Sequence, residues 1–338
     1  MPVIHIVGAG VAGRTLAAAL GERWQVHLHE QRFDHRSVPT AYGMWPWALT
    51  ALESIGAAEA ARERGVTGSR VSIRTPSDEE LAGGEGPLAV LVTRPDLLKI
   101  LGDRIPDRVR VHEQRVADPT TLDGDLIIGA DGVRSAVRAA VWGTGSLPGP
   151  PLATVARGVV EVDLGLPELR EYWGRGAQFG HTPNPGRRTN WFATVPVRRF
   201  ADVEDCLATL RDTFGNYPAA VRTILEHAEP DQTLVNDVLT SRLLVNPARG
   251  RYVLIGDAAH AMAPNLGRGA CESIVDALTL ADLLERYGPS AGPARYRLQR
   301  AFRPQALRIV AGLVMRISLA DGLAPLRDHV LRALPARP

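Results

Sequence analysis

Three carboxylates and three clusters of glycine are the residues whose spacing could do chemistry in this chain. Asp257 ends the apolar run Tyr252-Val253-Leu254-Ile255-Gly256. The loop Pro264-Asn265-Leu266-Gly267-Arg268-Gly269 follows, and a helical pattern then runs from Ala270 to Leu284. A helix start of this kind offers unpaired N–H groups and partial positive charge. Loop glycines let backbone approach a flat ligand closely. The stretch suits an electron-rich ring edge or an anion, with Asp257 accepting bonds from hydroxyls. By itself it would read better as a buried strand–loop–helix packing unit.

The second constellation opens the chain. Val3 to Val7 is β-branched and strand-like, Gly8-Ala9-Gly10-Val11-Ala12-Gly13 follows at once, Arg14 to Leu20 reads as a helix, and Gln25 to His29 is a second strand ending at Glu30. This is the dinucleotide fingerprint: Gly8 for the tight turn, Gly10 for close approach of a pyrophosphate, Gly13 for helix-on-strand packing, and an acid for a ribose hydroxyl. The helix N-terminus holds phosphates. NAD and FAD share the adenosine diphosphate half, so the fingerprint does not separate them. The third constellation is the strand Asp125 to Gly129 followed by Asp131, Gly132 and Ser135, a tight strand-to-helix turn with a capping serine.

Together these stretches resemble the single-component FAD monooxygenases of the para-hydroxybenzoate hydroxylase type. The resemblance implies an α/β fold: a Rossmann-like FAD-binding domain with an interleaved antiparallel-sheet substrate domain and C-terminal helices. It implies non-covalent FAD, with Gly8, Gly10, Val11, Ala12, Gly13, Glu30, Gln31 and Arg32 at the adenosine diphosphate end. Asp257 would take the ribityl chain, and Pro264, Gly267, Arg268, Gly269 and Ala270 would face the flavin pyrimidine. Arg94, opening a helix with Pro95, and the Asp131 turn would also reach FAD, the latter taking part in NAD(P)H handling. Arg32 and Arg36 are read equally as solvated loop charges, and Trp45 and Trp47 as core. Relatives often carry Gln where this chain has Arg268, and they carry a hairpin for which the segment from Val111 to Asp125 leaves little room.

The implied reaction uses NAD(P)H and dioxygen to hydroxylate or epoxidise an aromatic or polycyclic small molecule through a flavin C4a-hydroperoxide, a chemistry common in secondary metabolism. Two alternatives stand beside it. One is a non-redox cyclase that holds flavin on the same scaffold. The other is an NAD-dependent dehydrogenase, which leaves the Asp131 and Asp257 stretches unexplained.

The elements that must position these residues divide the chain. Residues 1–68, 94–150 and 248–285 are read as the FAD-binding domain, 69–93 and 151–247 as the substrate domain, and 286–338 as a C-terminal helical segment. Val71 to Thr75 and Leu88 to Thr93 are expected strands around a polar loop, Pro76 to Pro87. Thr154 to Val162, Tyr172 to Phe179 and Thr189 to Val195 are expected to form an antiparallel sheet, since their connections are too short for crossover helices. Val203 to Phe214 and Ala219 to His227 would be helices laid over it. Tyr287 to Pro293 reads as a loop. Along the sheet, residues alternate between faces, so Trp191 opposes Phe192 and Gln178 opposes Phe179. Which face lines the pocket stays open. Arg157, Gln178, Trp191 and Phe192 are the substrate candidates, with His181 a candidate base that reads better as a solvated histidine.

Composition sets outer bounds. Net charge is +2, from 39 basic and 37 acidic residues over 338 positions, and the arginines are scattered. No basic stripe suggests nucleic acid. Cys206 and Cys271 have no metal-site spacing and read as small buried side chains. No apolar run reaches membrane-spanning length and no secretory signal is read, so a cytoplasmic setting is expected. A homodimer would fit the C-terminal helices.

Overall fold

The computed structural model describes residues 1–33 and 38–333. Its first layer grows from the strand Val3–Val7, which lies inside a six-stranded sheet. From one edge to the other the strands are Ala248–Arg249, Tyr252–Leu254, Leu126–Gly129, Val3–Val7, Gln25–Glu30 and Arg110–Glu113. All neighbours pair in parallel except the first two. Parallel strands need crossover helices, and helices on the faces bury the strands. Ile4, Ile6, Val26, Leu28 and Ile128 therefore pack against the helices Val11–Ala19 and Gly269–Arg300. The opposite face carries His5, His27, His29 and His112, whose rings stack on one another.

The second layer is an eight-stranded sheet. Its order is Thr233–Asp237, Thr154–Val160, Arg188–Val195, Gln178–Asn184, Glu168–Trp173, Val66–Arg74, Glu80–Thr93 and Ala41–Met44. The strands pair antiparallel throughout, apart from Val66–Arg74 with Glu168–Trp173. One face is sealed by the helices Val203–Thr213 and Ala219–Glu226 over Phe179, Trp191, Phe214 and Tyr217. The other face looks toward the six-stranded sheet across a cleft.

Three local expectations are corrected. The polar loop at 76–87 is mostly strand: Glu80–Thr93 is 14 residues long and only a turn at Thr75–Glu79 separates it from its partner. Its glycines and glutamates carry weak strand preference, but Arg70 and Arg74 pair with Glu80 across the ladder at 2.6 and 3.0 Å. The expected strand 172–179 is two strands, broken where Gly176 takes φ 70° and Gly174 N–H donates to Ala177 O. Ala41–Met44 pairs with Glu80–Thr93, so the N-terminal third of the chain feeds the second sheet as well as the first. Residues 287–293 are not a loop, because the helix is interrupted only at Gly288 (φ 72°) and resumes at once. Pro289 stands in the first turn of the resumed segment, where a missing N–H costs nothing.

Of two further helices, Arg303–Ser318 packs through Ala311 and Met315 against Met262, Leu266 and Phe192, and Ala324–Ala333 lies against the strand Glu80–Thr93. Both cysteines are buried free thiols. Among the described residues, no helix is long and apolar enough to cross a membrane.

Candidate active site in the cleft between the sheets

The cleft has a volume of about 1160 Å³. Its floor begins at the glycine turn after Val3–Val7. Gly8 takes φ 101°, and a Cβ there would lie 2.4 Å from Ala130 O. Gly13 is pressed against Gly8, where a Cβ would sit 1.9 Å from its carbonyl oxygen, so Gly13 shapes the turn from behind and does not line the cleft. Gly10 has open space in front of it. The helix Val11–Ala19 starts there with no side-chain cap among the described residues, so the N–H groups of its first turn, at the cleft-lining Val11 and Ala12, are left for a ligand. Glu30 ends the next strand. Its Oε2 accepts from Ala9 N–H at 2.9 Å and its Oε1 from Arg32 N–H at 3.1 Å. Val11, Ala12 and Gln31 line the same wall, whereas the Arg32 side chain is exposed beyond it. Arg36 lies outside the described residues. Arg94 is brought to the wall by the Thr93 side chain, which accepts from Asp96 N–H, and by its own N–H to Thr40 O at 2.9 Å.

Asp257 stands across the floor. Gly256 before it takes φ 58°, since a Cβ would lie 2.8 Å from Ser273 Oγ. The Asp257 side chain opens onto the cleft, yet protein surrounds it at longer range. That depth pushes its carboxyl above the usual carboxylate range, with His260 opposing and Asp276 adding to the rise. Beneath it lies a buried ionic network. Asp276 Oδ2 accepts from Gly256 N–H at 2.9 Å and meets His260 Nε2 at 2.5 Å, while Oδ1 accepts from Arg300 Nε at 2.6 Å. Arg300 also holds Glu272. Burial drives the Asp276 carboxyl up, but His260, Arg300 and the Gly256 N–H outweigh it and hold the group at about 2. The same pairing raises His260 against its own burial. From the other side, the buried Arg138 guanidinium donates to the carbonyls of Ala258, Ala259 and Arg242.

The Asp131 turn completes the floor. Its Oδ2 accepts from Ala136 N–H at 2.7 Å and Val137 N–H at 3.2 Å, and Ser135 caps Arg138 N–H at 2.9 Å. Its Oδ1 is buried with no partner among the described residues. Burial raises its carboxyl, and the Ser135 and backbone bonds oppose the rise.

At the far end, Pro264, Gly267, Arg268, Gly269 and Ala270 line the cleft where the long helix Gly269–Arg300 begins, again with no side-chain cap. The Arg268 guanidinium lies over the rings of Trp45 and Trp47, 5.9 and 5.8 Å from their centres. Trp45 Nε1 donates to Gly267 O at 3.2 Å. These tryptophans therefore hold the loop rather than only filling core.

The sheet opposite supplies the remaining wall, and its orientation answers the question the alternation left open. Arg157, Gln178 and Phe192 face the cleft. Trp191 does not present its ring there: the indole is fully buried on the helix side, 6.0 Å from Phe179 in a stacked pair. His181 shares that far side, buried beside Tyr172. Burial, then Arg170, lowers it to about 4, so it is neither solvated nor placed to act as a base in the cleft. Two residues that sequence reasoning did not single out join the wall. Glu171 Oε2 accepts from Trp173 Nε1 at 2.8 Å and Gln178 Nε2 at 2.7 Å. Gln178 Oε1 in turn accepts from Asn265 Nδ2 at 3.2 Å, a link to the loop before the long helix. The available signal was the alternation Leu169, Glu171, Trp173, which was obscured by the misplaced strand boundary.

An elongated cofactor with a pyrophosphate in its middle and an electron-rich ring at one end fits this floor. Two uncapped helix N-termini face one cleft, Gly10 leaves room between them, and Asp131 Oδ1 awaits a partner. The comparisons agree. A family model described as "FAD binding domain" matches residues 102–316. The aurachin C monooxygenase/isomerase of Stigmatella aurantiaca is 30% identical over 89% of this chain and 85% of its own length. The 2-heptyl-3-hydroxy-4(1H)-quinolone synthase of Pseudomonas aeruginosa is 32% identical over 98% and 94%. Among solved structures, HpxO of Klebsiella pneumoniae in complex with FAD and uric acid shares the fold, with a TM-score of 0.87, 22% identity, and coverage of 98% of this chain and 93% of that one. The chain therefore belongs to the FAD-dependent single-component aromatic hydroxylases with the para-hydroxybenzoate hydroxylase fold, and it is an FAD-dependent monooxygenase.

Proposed function

We propose that this enzyme uses NAD(P)H and dioxygen to hydroxylate a flat aromatic or polycyclic molecule held between the FAD site and the Phe192 face of the eight-stranded sheet. The observation that carries the reading is the pairing of that aromatic, uncrowded sheet face with a floor bearing two open helix N-termini. FAD, when bound and reduced, supplies the activation of dioxygen; the protein supplies orientation, electrostatics and exclusion of water.

In this reading the N–H groups at Val11 and Ala12 hold the pyrophosphate. Glu30 accepts from a ribose hydroxyl, for which its two present N–H partners already orient it. Asp257 accepts from the ribityl chain. The start of the helix Gly269–Arg300 stabilises negative charge on the pyrimidine edge of the ring, an oxyanion-hole argument applied to a heterocycle. Arg268 adds a cation to that edge from its seat on Trp45 and Trp47. Arg94 and the Asp131 turn support the cofactor's adenosine side and the approach of NAD(P)H. The relatives named above are a monooxygenase/isomerase and a quinolone synthase, which favours oxygen insertion over a non-redox cyclase and directs the first assays to fused heteroaromatic rings.

The test is NADPH consumption by the FAD-loaded protein with and without 4(1H)-quinolone. Faster oxidation with appearance of a hydroxylated quinolone supports the reading. NADPH oxidation that no fused-ring aromatic accelerates rejects it.

A further inference from the structure

The register of the eight-stranded sheet sets four residues in one cross-strand row, three of them lining the cleft. Arg157 pairs with Phe192, Phe192 with Gly180, and Gly180 with Glu171. Directly opposed residues stand on the same face, so all four belong to the cleft side. The middle of the row is flat by construction. Gly180 has no side chain, and the Phe192 ring lies over it so closely that a Cβ there would be 2.2 Å from the ring. A cation and an anion therefore flank an aromatic floor. They are three strand spacings apart, about 14 Å between backbones, a span suited to two or three fused rings rather than one.

Both ends of the row have unused hydrogen-bonding capacity. Glu171 Oε2 is saturated by Trp173 and Gln178, and Oε1 takes no bond among the described residues. The two N–H donors fix which oxygen is free. Burial raises the Glu171 carboxyl, and those two bonds oppose the rise; no charged neighbour contributes. At the other end, Arg157 Nε is buried without a partner among the described residues. An unpartnered buried polar group such as Arg157 Nε is costly, and with the unbonded Glu171 Oε1 at the other end of the same cleft it points to a ligand that supplies both partners.

We propose that Glu171 and Arg157 read the opposite edges of a flat fused-ring substrate lying on Phe192: Glu171 Oε1 accepts a ring N–H or phenol O–H, and Arg157 donates to a carbonyl or oxyanion oxygen. The substrate class is a fused heteroaromatic or phenolic ring system with a donor on one edge and an acceptor on the other. This rests on the pocket assignment under Proposed function. Hydrogen bonding of the donor to a carboxylate also enriches the ring in electron density, which suits attack by an electrophilic oxygen. Gln178 and Asn265 connect Glu171 to the loop before the long helix, so they act as positioning residues for the carboxylate.

The experiment is a binding titration that needs no turnover. FAD-loaded protein is titrated with 4(1H)-quinolone and with 1-methyl-4-quinolone, and the change in flavin absorbance is followed. The wild type should bind the N–H form roughly tenfold or more tightly, the worth of one hydrogen bond to a charged group. Glu171→Gln should erase that preference, because its amide oxygen is claimed by Trp173 and Gln178 and its NH2 then meets the substrate donor. Arg157→Gln should weaken both probes alike and leave the preference intact. Equal affinity of the wild type for the two probes overturns the proposal without any variant, as does binding of neither probe. A preference that persists in Glu171→Gln with normal FAD content also overturns it. Discrimination without oxygenation would leave this inference standing and reject the proposed reaction; oxygenation without discrimination would do the reverse.

Discussion

Asp257 is the residue on which FAD affinity depends most in this reading. It faces the cleft, and the Asp276–His260–Arg300 network fixes the turn beneath it. Asp257→Ala removes the acceptor but keeps Gly256 and the network. A hydrogen bond between a charged group and a hydroxyl is worth about 1.5–3 kcal/mol, so the FAD dissociation constant is expected to rise roughly ten- to a hundredfold. Fluorescence titration of apoprotein with FAD measures it, and an unchanged constant means that the carboxylate does not touch the cofactor. The floor of the cleft was legible because its residues come in short contiguous runs whose chemistry is local: Gly8 to Gly13, Asp131 to Ser135, Gly256 to Gly269. The sheet wall opposite was not, because its residues are assembled across strands. Period-two alternation separated Phe192 from Trp191 correctly but could not say which of them meets the cleft; only the helices on the Trp191 side decide that.

At the scale of elements, the aromatic floor depends on one glycine. Gly180→Ala places a methyl group where the Phe192 ring now lies. The ring must swing toward the cavity, so binding of 4(1H)-quinolone should weaken about tenfold, the effect of losing stacking and fused-ring contact. FAD affinity should be unchanged, because Gly180 lies in the opposite sheet and does not itself line the cleft. Loss of both together would mean that the two walls are not independent. The helices Val11–Ala19, Val203–Thr213 and Ala219–Glu226 and the parallel strands Val3–Val7, Gln25–Glu30 and Leu126–Gly129 were read from the sequence with small boundary errors, since their apolar patterning is strong. The errors fell where long-range pairing overrides local preference. Glu80–Thr93 is a strand because Arg70 and Arg74 sit across from it, and residues 287–293 are helical because they pack back onto Leu283 and Leu284 near Gly292.

At the scale of the molecule, two buried networks brace the first sheet. Arg300 reaches from the end of the long helix to Asp276 and Glu272 near its start. Arg300→Ala takes the bridging cation from two buried carboxylates, leaving Asp276 to His260 and the Gly256 N–H and Glu272 to a long contact with Arg303 at 3.6 Å, and should cost about 3–5 kcal/mol of stability, read as a lower denaturant midpoint; a loss under about 1 kcal/mol would show the network to be solvated. On the opposite face the four stacked histidines share two ring-to-ring hydrogen bonds, His5 with His29 and His27 with His112, each 2.9 Å. Burial, then His112, His5 and His27, lowers His29 to about 4, and burial lowers His5 and His27 as well. Unfolded histidines take up protons near pH 6.5, so the unfolded chain binds more protons than the folded one between about pH 6.5 and 4. Stability is therefore complete above that window and falls as the pH drops through it, by up to about 3 kcal/mol from His29 alone. Thermal midpoints across pH should show this slope, and His29→Gln should flatten it; a slope unchanged in that variant would assign the acid sensitivity elsewhere.

The measurement that bears most directly on the enzyme's activity uses isotopically labelled dioxygen. FAD-loaded protein, NADPH and 4(1H)-quinolone react under the labelled gas, and the product is analysed by mass spectrometry. The expected result is a hydroxylated quinolone carrying one labelled oxygen atom, formed in step with NADPH oxidation. A product without label, or formed with no NADPH consumed, would contradict monooxygenation.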